Sequence, residues 1–511
     1  MAKNGCYELE LKLPTDYDEA LIIKSIQKKL DLKDFNYKIL KKSLDARKKH
    51  NIVYVLKMAV FSSWLKNSVH QQTPKLKIIK QNRAKKVIVV GNGPAGFFCA
   101  YTLQKAGFDV TCLERGSAID QRIKDVVSFD KTGILKDDSN YVYGEGGAGT
   151  FSDGKLTTRT KNIKLEQAFI IDEFIEAGAP DEIRYLNHPH IGSDNLKLIV
   201  KNLRIKFEVI GGKIIFDTKV SNFEVGVDKK VRVFADKKEY EADYVFFATG
   251  NSAYDTYRML INNGISFKTK PFAIGVRVEH LQADINKAQW NVADLKGVKA
   301  AEYRLAYTTE AGFPVYSFCM CPGGRILCSA SKNGQTNVNG ASNYLRNSKW
   351  ANSAIVVGVN FNKLYGRDFT ALEALDWVDG LEKKAFCINN GFGAPFNNIV
   401  DFINENVVAE PVSGSYKFPI VPYDYKKLLP TEVEVALREG LMFFSKKIKG
   451  FEKGVMVGLE TKTSPPVQVE RNDDYTCNEQ GNVYVIGEGA GHASGIITSA
   501  VDGVRAALGL I

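Results

Sequence analysis

At 511 residues, with 44% hydrophobic and 25% charged side chains, the chain has the makeup of an ordinary folded protein with room for two or three domains. No apolar run approaches the roughly 18 residues of a membrane span, and the opening MAKNGCYELELKLP has no apolar core, so neither a span nor a secretory leader is expected. Eight cysteines without a C-x-x-C argue against a disulfide framework or a zinc knuckle, no metal site is expected, and a reducing cytoplasm is the expected setting.

The net charge of +11 is lopsided: residues 1–86 hold 18 Lys and 2 Arg against 8 Asp and Glu, and the remainder is near neutral. Such asymmetry points to an acidic partner (RNA, an anionic membrane or an acidic protein) or to a strongly solvated face. Residues 5–13 alternate like a half-exposed strand. A helix over 16–30 is expected to be capped by Asp16 and to bury Ala20, Ile23, Ile26, Gln27 and Leu30. Strands over 35–44 and 51–60 complete a small α+β module, whose basic turn Arg47-Lys48-Lys49-His50 is the expected contact surface. The polar, Lys-rich 66–85 reads as linker.

Lys86 to Glu114 carries the clearest signal. Val87–Val90 is a short buried-strand run, and Gly91, Gly93 and Gly96 follow as G-x-G-x-x-G before a helical pattern that ends at Gly107. A second strand closes on Glu114, 23 residues after Gly91, near the spacing of a carboxylate that binds an adenosine ribose. Strand, glycines, helix, strand and acid in that order define a dinucleotide-binding unit.

The stretch from Ser139 to Arg159, SNYVYGEGGAGTFSDGKLTTR, contains two false matches. Gly144–Gly149 fits G-x-G-x-x-G without a following helix pattern, and Gly149–Lys155 fits the start of a P-loop but has Leu156 where Ser or Thr is required. A glycine-dense loop with Thr150, Ser152, Asp153 and Lys155 instead reads as backbone pressed against a large planar or anionic ligand. A helix over 165–178, a strand over 213–216 and a hairpin around 228–230 are expected next. A buried strand over 244–248 then ends in Ala248-Thr249-Gly250. His188-Pro189-His190 lacks an acid or Cys to complete a metal site and reads as a structural loop.

Residues 266–460 mix strand runs (272–278, 326–329, 355–359) with helical ones and show no second complete dinucleotide unit. Here Cys319 and Cys321 share one face if the strand is regular, which allows a redox pair or a nucleophile but more simply a structural role. The end of the chain repeats the opening theme, with a buried strand over 482–486, the turn GEGAGHASG carrying Glu488, and an apolar helix from Ile496.

These strings, above all GEGGAGTFSDGKL, KPFAIGVRVEH, YSFCMCPGG and GEGAG, resemble the bacterial FAD-dependent dehydrogenases, within the glutathione-reductase-like, two-dinucleotide-binding-domain flavoproteins. The resemblance implies an α/β fold: a basic module and linker over 1–80, a Rossmann-like FAD domain over 81–265 and 461–511, and an inserted α+β cap over 266–460. It implies that Gly91, Gly93, Pro94, Ala95 and Gly96 cradle the FAD pyrophosphate, with Glu114 on the ribose and Arg115 and Arg122 nearby. Val220 would face adenine, and Ala248, Thr249 and Gly250 would pass beneath the cofactor. Gly146, Gly147, Thr150, Ser152 and Lys155 would line the flavin. Gly487 and Glu488 would hold the ribityl chain, where most such proteins have Asp, and Gly495 and Ile496 would open a helix toward the ring.

The expected activity is an FAD oxidoreductase with an unidentified small-molecule substrate or electron carrier and NAD(P)H as a candidate donor. Lys155 and His492 are the expected polar groups beside the ring. Two alternatives use the basic module: docking RNA for its modification, or docking an acidic electron carrier.

Overall fold

The computed structural model describes residues 5–65, 74–408, 410 and 413–511. The basic N-terminal segment forms strands β1 (Gly5–Pro14), β2 (Asn36–Asp45) and β3 (Val53–Ser62) in the antiparallel order β1-β3-β2, with helix α1 (Glu19–Leu30) packed on them. Alternation in β1 turns Leu9, Leu11 and Leu13 inward and Glu10 and Lys12 outward. The cap of α1 is Asp18, whose carboxylate accepts from Leu21 N at 2.8 Å, rather than Asp16, which pairs with Lys296 at 3.3 Å. The buried stripe accordingly centres on Ile22 and Ile26, while Ile23 is 37% exposed.

Of the expected linker, 66–73 lie outside the described residues. The following stretch is held down: Leu76 and Ile78 pack on the next core, and Gln81 N donates to Ala106 O at 3.1 Å.

The second region is built from β4 (Lys86–Val90), α2 (Pro94–Ala106), β5 (Asp109–Leu113), α3 (Ile119–Thr132), α4 (Lys164–Glu176), α5 (Ser193–Val209), β6 (Lys213–Ile215), β7 (Val220–Val225), β8 (Val231–Ala235), β9 (Lys238–Ala242) and β10 (Tyr244–Phe247). A parallel sheet runs in the order strand Val483–Val485, β10, β4, β5, β6. Both faces are covered, which is why its strands read as unbroken apolar runs: Val87 and Val89 face the helices, and Ile88 and Val90 face the β7-β8-β9 meander. The C-terminal helix Ile496–Leu510 packs on α2.

The intervening region forms a seven-stranded mixed sheet. Its centre is strand Phe272–Leu281, paired antiparallel with Trp350–Val359 and Val455–Glu460. Helices Ala371–Asn389 and Thr431–Lys447 cover it, enclosing a core that includes Ile274, Val276, Ile355, Leu437 and Phe444. Strand Pro314–Cys321 is not regular. Its register against Trp350–Val359 shifts between Phe318 and Cys321, and Cys319 sits at φ +44°. The two cysteines therefore do not share an environment: Cys319 is partly exposed and Cys321 is 0% exposed.

Candidate active site

The loops at the carboxyl ends of the parallel strands and one wall of the inserted sheet enclose a cleft of about 300 Å³. Its floor is the first glycine turn. Gly91 has φ +98° and a Cβ there would lie 2.6 Å from Ala248 O; a Cβ on Gly96 would lie 1.9 Å from Gly91 O. Only glycine allows strand, turn and helix to close so tightly. Pro94 opens α2, whose free N–H groups and positive dipole end face the cleft.

Glu114, 5% exposed at the end of β5, lines the cleft and ties its loops together. Its carboxylate accepts from Asn92 N at 2.7 Å, Gly116 N at 2.9 Å and Gly144 N at 3.1 Å. Arg115 also lines the cleft, with its guanidinium over the Tyr143 ring and paired with Asp255 at 3.0 Å.

Arg122 is different from expectation. It is fully buried and donates to the carbonyls of Asn140, Tyr141, Gly144, Glu145 and Gly147 at 2.8 to 3.2 Å, so it shapes the glycine loop from behind and does not line the cleft. Burial lowers its pKa to about 10. Within that loop Gly147, Ser152 and Lys155 line the cleft. Gly146 and Thr150 do not: they lie on the far side, where Thr150 Oγ1 donates to Glu145 O at 3.1 Å.

Lys155 is held by Asp153 at 2.7 Å and by Met320 O, and Arg346 binds the same Asp153 carboxylate at 2.7 Å. Burial disfavours the ammonium, but the charge of Asp153, together with those of Cys321 and Cys319, outweighs it and raises the Lys155 pKa. Lys155 is thus a fixed cation beside the cleft rather than a proton donor near neutrality.

Val220, Ala248, Thr249, Gly250, Glu488, Gly495 and Ile496 complete the lining. Burial pushes the Glu488 carboxyl up to about 7, with Lys270 opposing. Gly487 stands behind, its N–H given to Asp502 at 2.7 Å. His492 does not reach the cleft. It is exposed, and the left-handed Gly491 turns it toward strand Val467–Val469, where Nε2 meets Val469 O at 3.0 Å. Of the His-Pro-His loop, His188 pairs with Glu302 and His190 Nε2 meets Tyr344 O at 3.0 Å. Among the described residues no cluster of metal-ligating side chains occurs.

The cap wall was absent from the expected site. It presents Phe318, Cys319, Asn337, Asn339, Glu460 and Lys462. Behind it Arg277, 0% exposed, forks onto Glu460 at 2.7 and 2.9 Å and binds Asn352 and Asn339 at 2.8 and 3.1 Å. A charged residue inside the apolar run Phe272–Val278 was the available signal for it.

The cleft fits flavin adenine dinucleotide. Asn92 Oδ1, Asn251 Oδ1 and Asn337 Nδ2 are buried in its lining without a protein partner among the described residues. A Cβ on Gly147 would come within 3.1 Å of Gly93 Cα, closing the slot between the two glycine loops. The helix N-terminus at Pro94 suits a pyrophosphate.

A glycine turn at the switch point of a parallel sheet, roofed by an inserted sheet, defines an FAD-binding flavoprotein of the Rossmann-like class. Family models agree: residues 85–265 match the pyridine nucleotide-disulphide oxidoreductase model, 271–463 the FAD-dependent protein C-terminal domain, and 7–61 a domain of unknown function. An uncharacterized protein of Clostridium beijerinckii is 38% identical over 519 residues, covering 97% of both chains. The chain belongs to this bacterial family of FAD-dependent, glutathione-reductase-like flavoproteins, and its cofactor is FAD. Similar solved structures include CtdE in complex with FAD (12% identity, TM-score 0.34, 84% of each chain) and CmlS, a flavin-dependent halogenase (13% identity, TM-score 0.36, 84% of this chain and 57% of that one).

Proposed function

We propose that the protein is an FAD-dependent oxidoreductase, a dehydrogenase or reductase that takes a small substrate between the flavin and the cap wall. The carrying observation is that the FAD-type loops and the cap meet at one cleft, to whose cap side Cys319, Asn339 and Lys462 add polar groups. The flavin supplies two-electron chemistry when bound. The chain's own residues orient and exclude. Lys155, fixed by Asp153, sets a positive field at the glycine loop, where it favours developing negative charge. The N-terminus of helix Ile496–Leu510 adds a dipole of the same sign. Glu488, with its pKa near neutrality, is the group suited to hold or release a proton at its carboxylate oxygen.

A visible spectrum followed by anaerobic addition of NADPH and then NADH tests the reading. Flavin bands that bleach on mixing identify a nicotinamide-driven reductase. Bands that persist identify a protein reduced by its own substrate or by a carrier. A protein purified without flavin, and unable to take it up, overturns the assignment.

Docking RNA or an acidic carrier through the basic module is less well supported. Two of the four residues of the expected contact turn also bond within the chain, although all four are exposed: Arg47 pairs with Asp45 at 2.6 Å and Lys49 Nζ donates to Ala288 O at 2.6 Å.

A further inference from the structure

The cap wall carries a buried charge whose purpose the reading above leaves open. Arg277, 0% exposed on strand Phe272–Leu281, directs all five of its N–H groups to acceptors of the cap. Nε and Nη2 fork onto the Glu460 carboxylate at 2.7 and 2.9 Å, and Nη1 donates to Asn352 Oδ1 at 2.8 Å and to Cys319 O at 3.3 Å. The remaining Nη2 hydrogen goes to Asn339 Oδ1 at 3.1 Å. A buried ion pair of this kind adds little stability over apolar packing, so the fork is better explained by what it orients. Gly340 is fitted to it: a Cβ there would lie 2.2 Å from Asn352 Oδ1 and 2.3 Å from Arg277 Nη1.

What it orients toward the cleft is the carboxamide of Asn339, on strand Val338–Ser342. Two N–H donors, Arg277 Nη2 at 3.1 Å and Gly340 N at 2.7 Å, converge on one atom of that amide. That atom is therefore the oxygen, and the NH₂ is set on the other side. The NH₂ has no protein partner among the described residues, and Asn339 is partly exposed where it lines the cleft. An amide nitrogen only donates, so the ligand atom that meets it is an acceptor. Beside it, on the touching strand Pro314–Cys321, Phe318 turns a partly exposed ring to the same cleft. The charges of this wall are closed off in pairs, Glu460 by Arg277 at 2.7 Å and Lys462 by Glu382 at 3.2 Å. The wall thus selects by the direction of a hydrogen bond more than by net charge.

We propose that Asn339 determines substrate specificity by donating its amide N–H to a carbonyl or carboxylate oxygen of the substrate, and that Arg277 is the positioning residue that fixes the direction of that amide. The substrate class is a small compound with such an oxygen and an apolar body that packs on Phe318. A compound that can only donate, such as a protonated amine, brings N–H against N–H at Asn339 and is refused. This rests on the reading that the substrate lies between the flavin and the cap.

The test uses the full-length, FAD-loaded protein and three probes of similar shape, acetophenone, benzoate and benzylamine, with the flavin difference spectrum as the binding readout. Wild type should bind acetophenone or benzoate saturably and benzylamine about tenfold more weakly, the worth of one hydrogen bond. The stronger of the two oxygen probes tells a neutral carbonyl from a carboxylate, and either supports the proposal. Asn339→Asp turns the cleft-facing donor into an acceptor and should reverse the order in favour of benzylamine. Asn339→Leu should weaken the oxygen probes about tenfold without gaining benzylamine. Arg277→Lys, which cannot fork, should narrow the preference between the probes. A lowered urea midpoint with the order of probes unchanged in these variants would mean a structural role alone and overturns the proposal. So does a wild type without preference for the oxygen probes, an arm that needs no variant to fold. Flavin bands that none of the three probes perturbs overturn the cap-side substrate reading as well, and protein without flavin bands overturns the cofactor assignment beneath both.

Discussion

Two residues show how narrowly the cleft is specified. The Cβ that Gly96 lacks would overlap Gly91 O, a backbone atom that cannot swing aside. Gly96→Ala should therefore separate α2 from its strand, costing about 2–3 kcal/mol as overpacking does. The flavin-to-protein absorbance ratio should fall with the urea midpoint, and a variant with full flavin and an unchanged midpoint would show the contact to be soft. Glu488 makes a pH-dependent contribution of definite sign. Its folded pKa of about 7 lies above the ordinary carboxylate value. Its contribution to the flavin-free protein is fully present below about pH 4.5 and lost as pH rises through 7, up to about 3 kcal/mol. Glu488→Gln should thus gain stability over wild type at pH 8 but not at pH 4.5, as measured by urea unfolding of the stripped protein. A gap that does not change with pH would place this carboxylate in water.

At the scale of elements, the first glycine unit was readable because its conformation is dictated locally: a buried strand, glycines at fixed offsets, and an acid at the end of the next strand. The late glycine turn was readable for the same reason, whereas the first helix starts behind Asp18 rather than Asp16, and of the cap sheet only parts of strands Phe272–Leu281 and Trp350–Val359 were read. What escaped were side-chain destinations set by distant chain. Arg122 is a local basic residue whose five acceptors come from a loop some twenty residues away, which the family resemblance that suggested a phosphate could not show. His492 was expected beside the ring, but one left-handed glycine turns it outward. Cys319 could not be separated from Cys321 without the bulge. The N-terminal module gives a prediction at this scale. Leu44, Ala46 and Ile52 pack against the cap core, Tyr54 OH donates to Gly297 O at 3.2 Å, and Lys42 exchanges backbone hydrogen bonds with Tyr185 and Asn187 at 2.8 and 2.9 Å. None of its described residues lines the cleft. Deleting residues 1–80 should lower the melting temperature while the flavin spectrum is retained. Loss of flavin on deletion would assign the module a part in shaping the cleft.

For the whole molecule, the cofactor site is what joins regions distant in sequence. The lining runs from Val90 at the first glycine turn, through Lys155 and Val220, across the cap at Cys319 and Glu460, to Ile496 at the last helix. A ligand that touches all of these stabilises them together, by an amount set by its concentration relative to its dissociation constant: about 2.7 kcal/mol at a hundredfold excess. Glu114, Arg115 and Val220 line the same cleft as the glycine loop from Gly147 to Lys155, and the family resemblance puts the first group at the adenylate and the second at the flavin. FMN, which lacks the adenylate, meets only the second group and leaves the helix N-terminus at Pro94 without its bridging phosphates. Titrating the stripped protein should therefore raise the melting temperature strongly with FAD and weakly with FMN at equal concentration, and AMP alone should give a small shift of its own. Equal shifts with FAD and FMN would mean that the first glycine unit, however regular its sequence, contributes nothing to holding the cofactor.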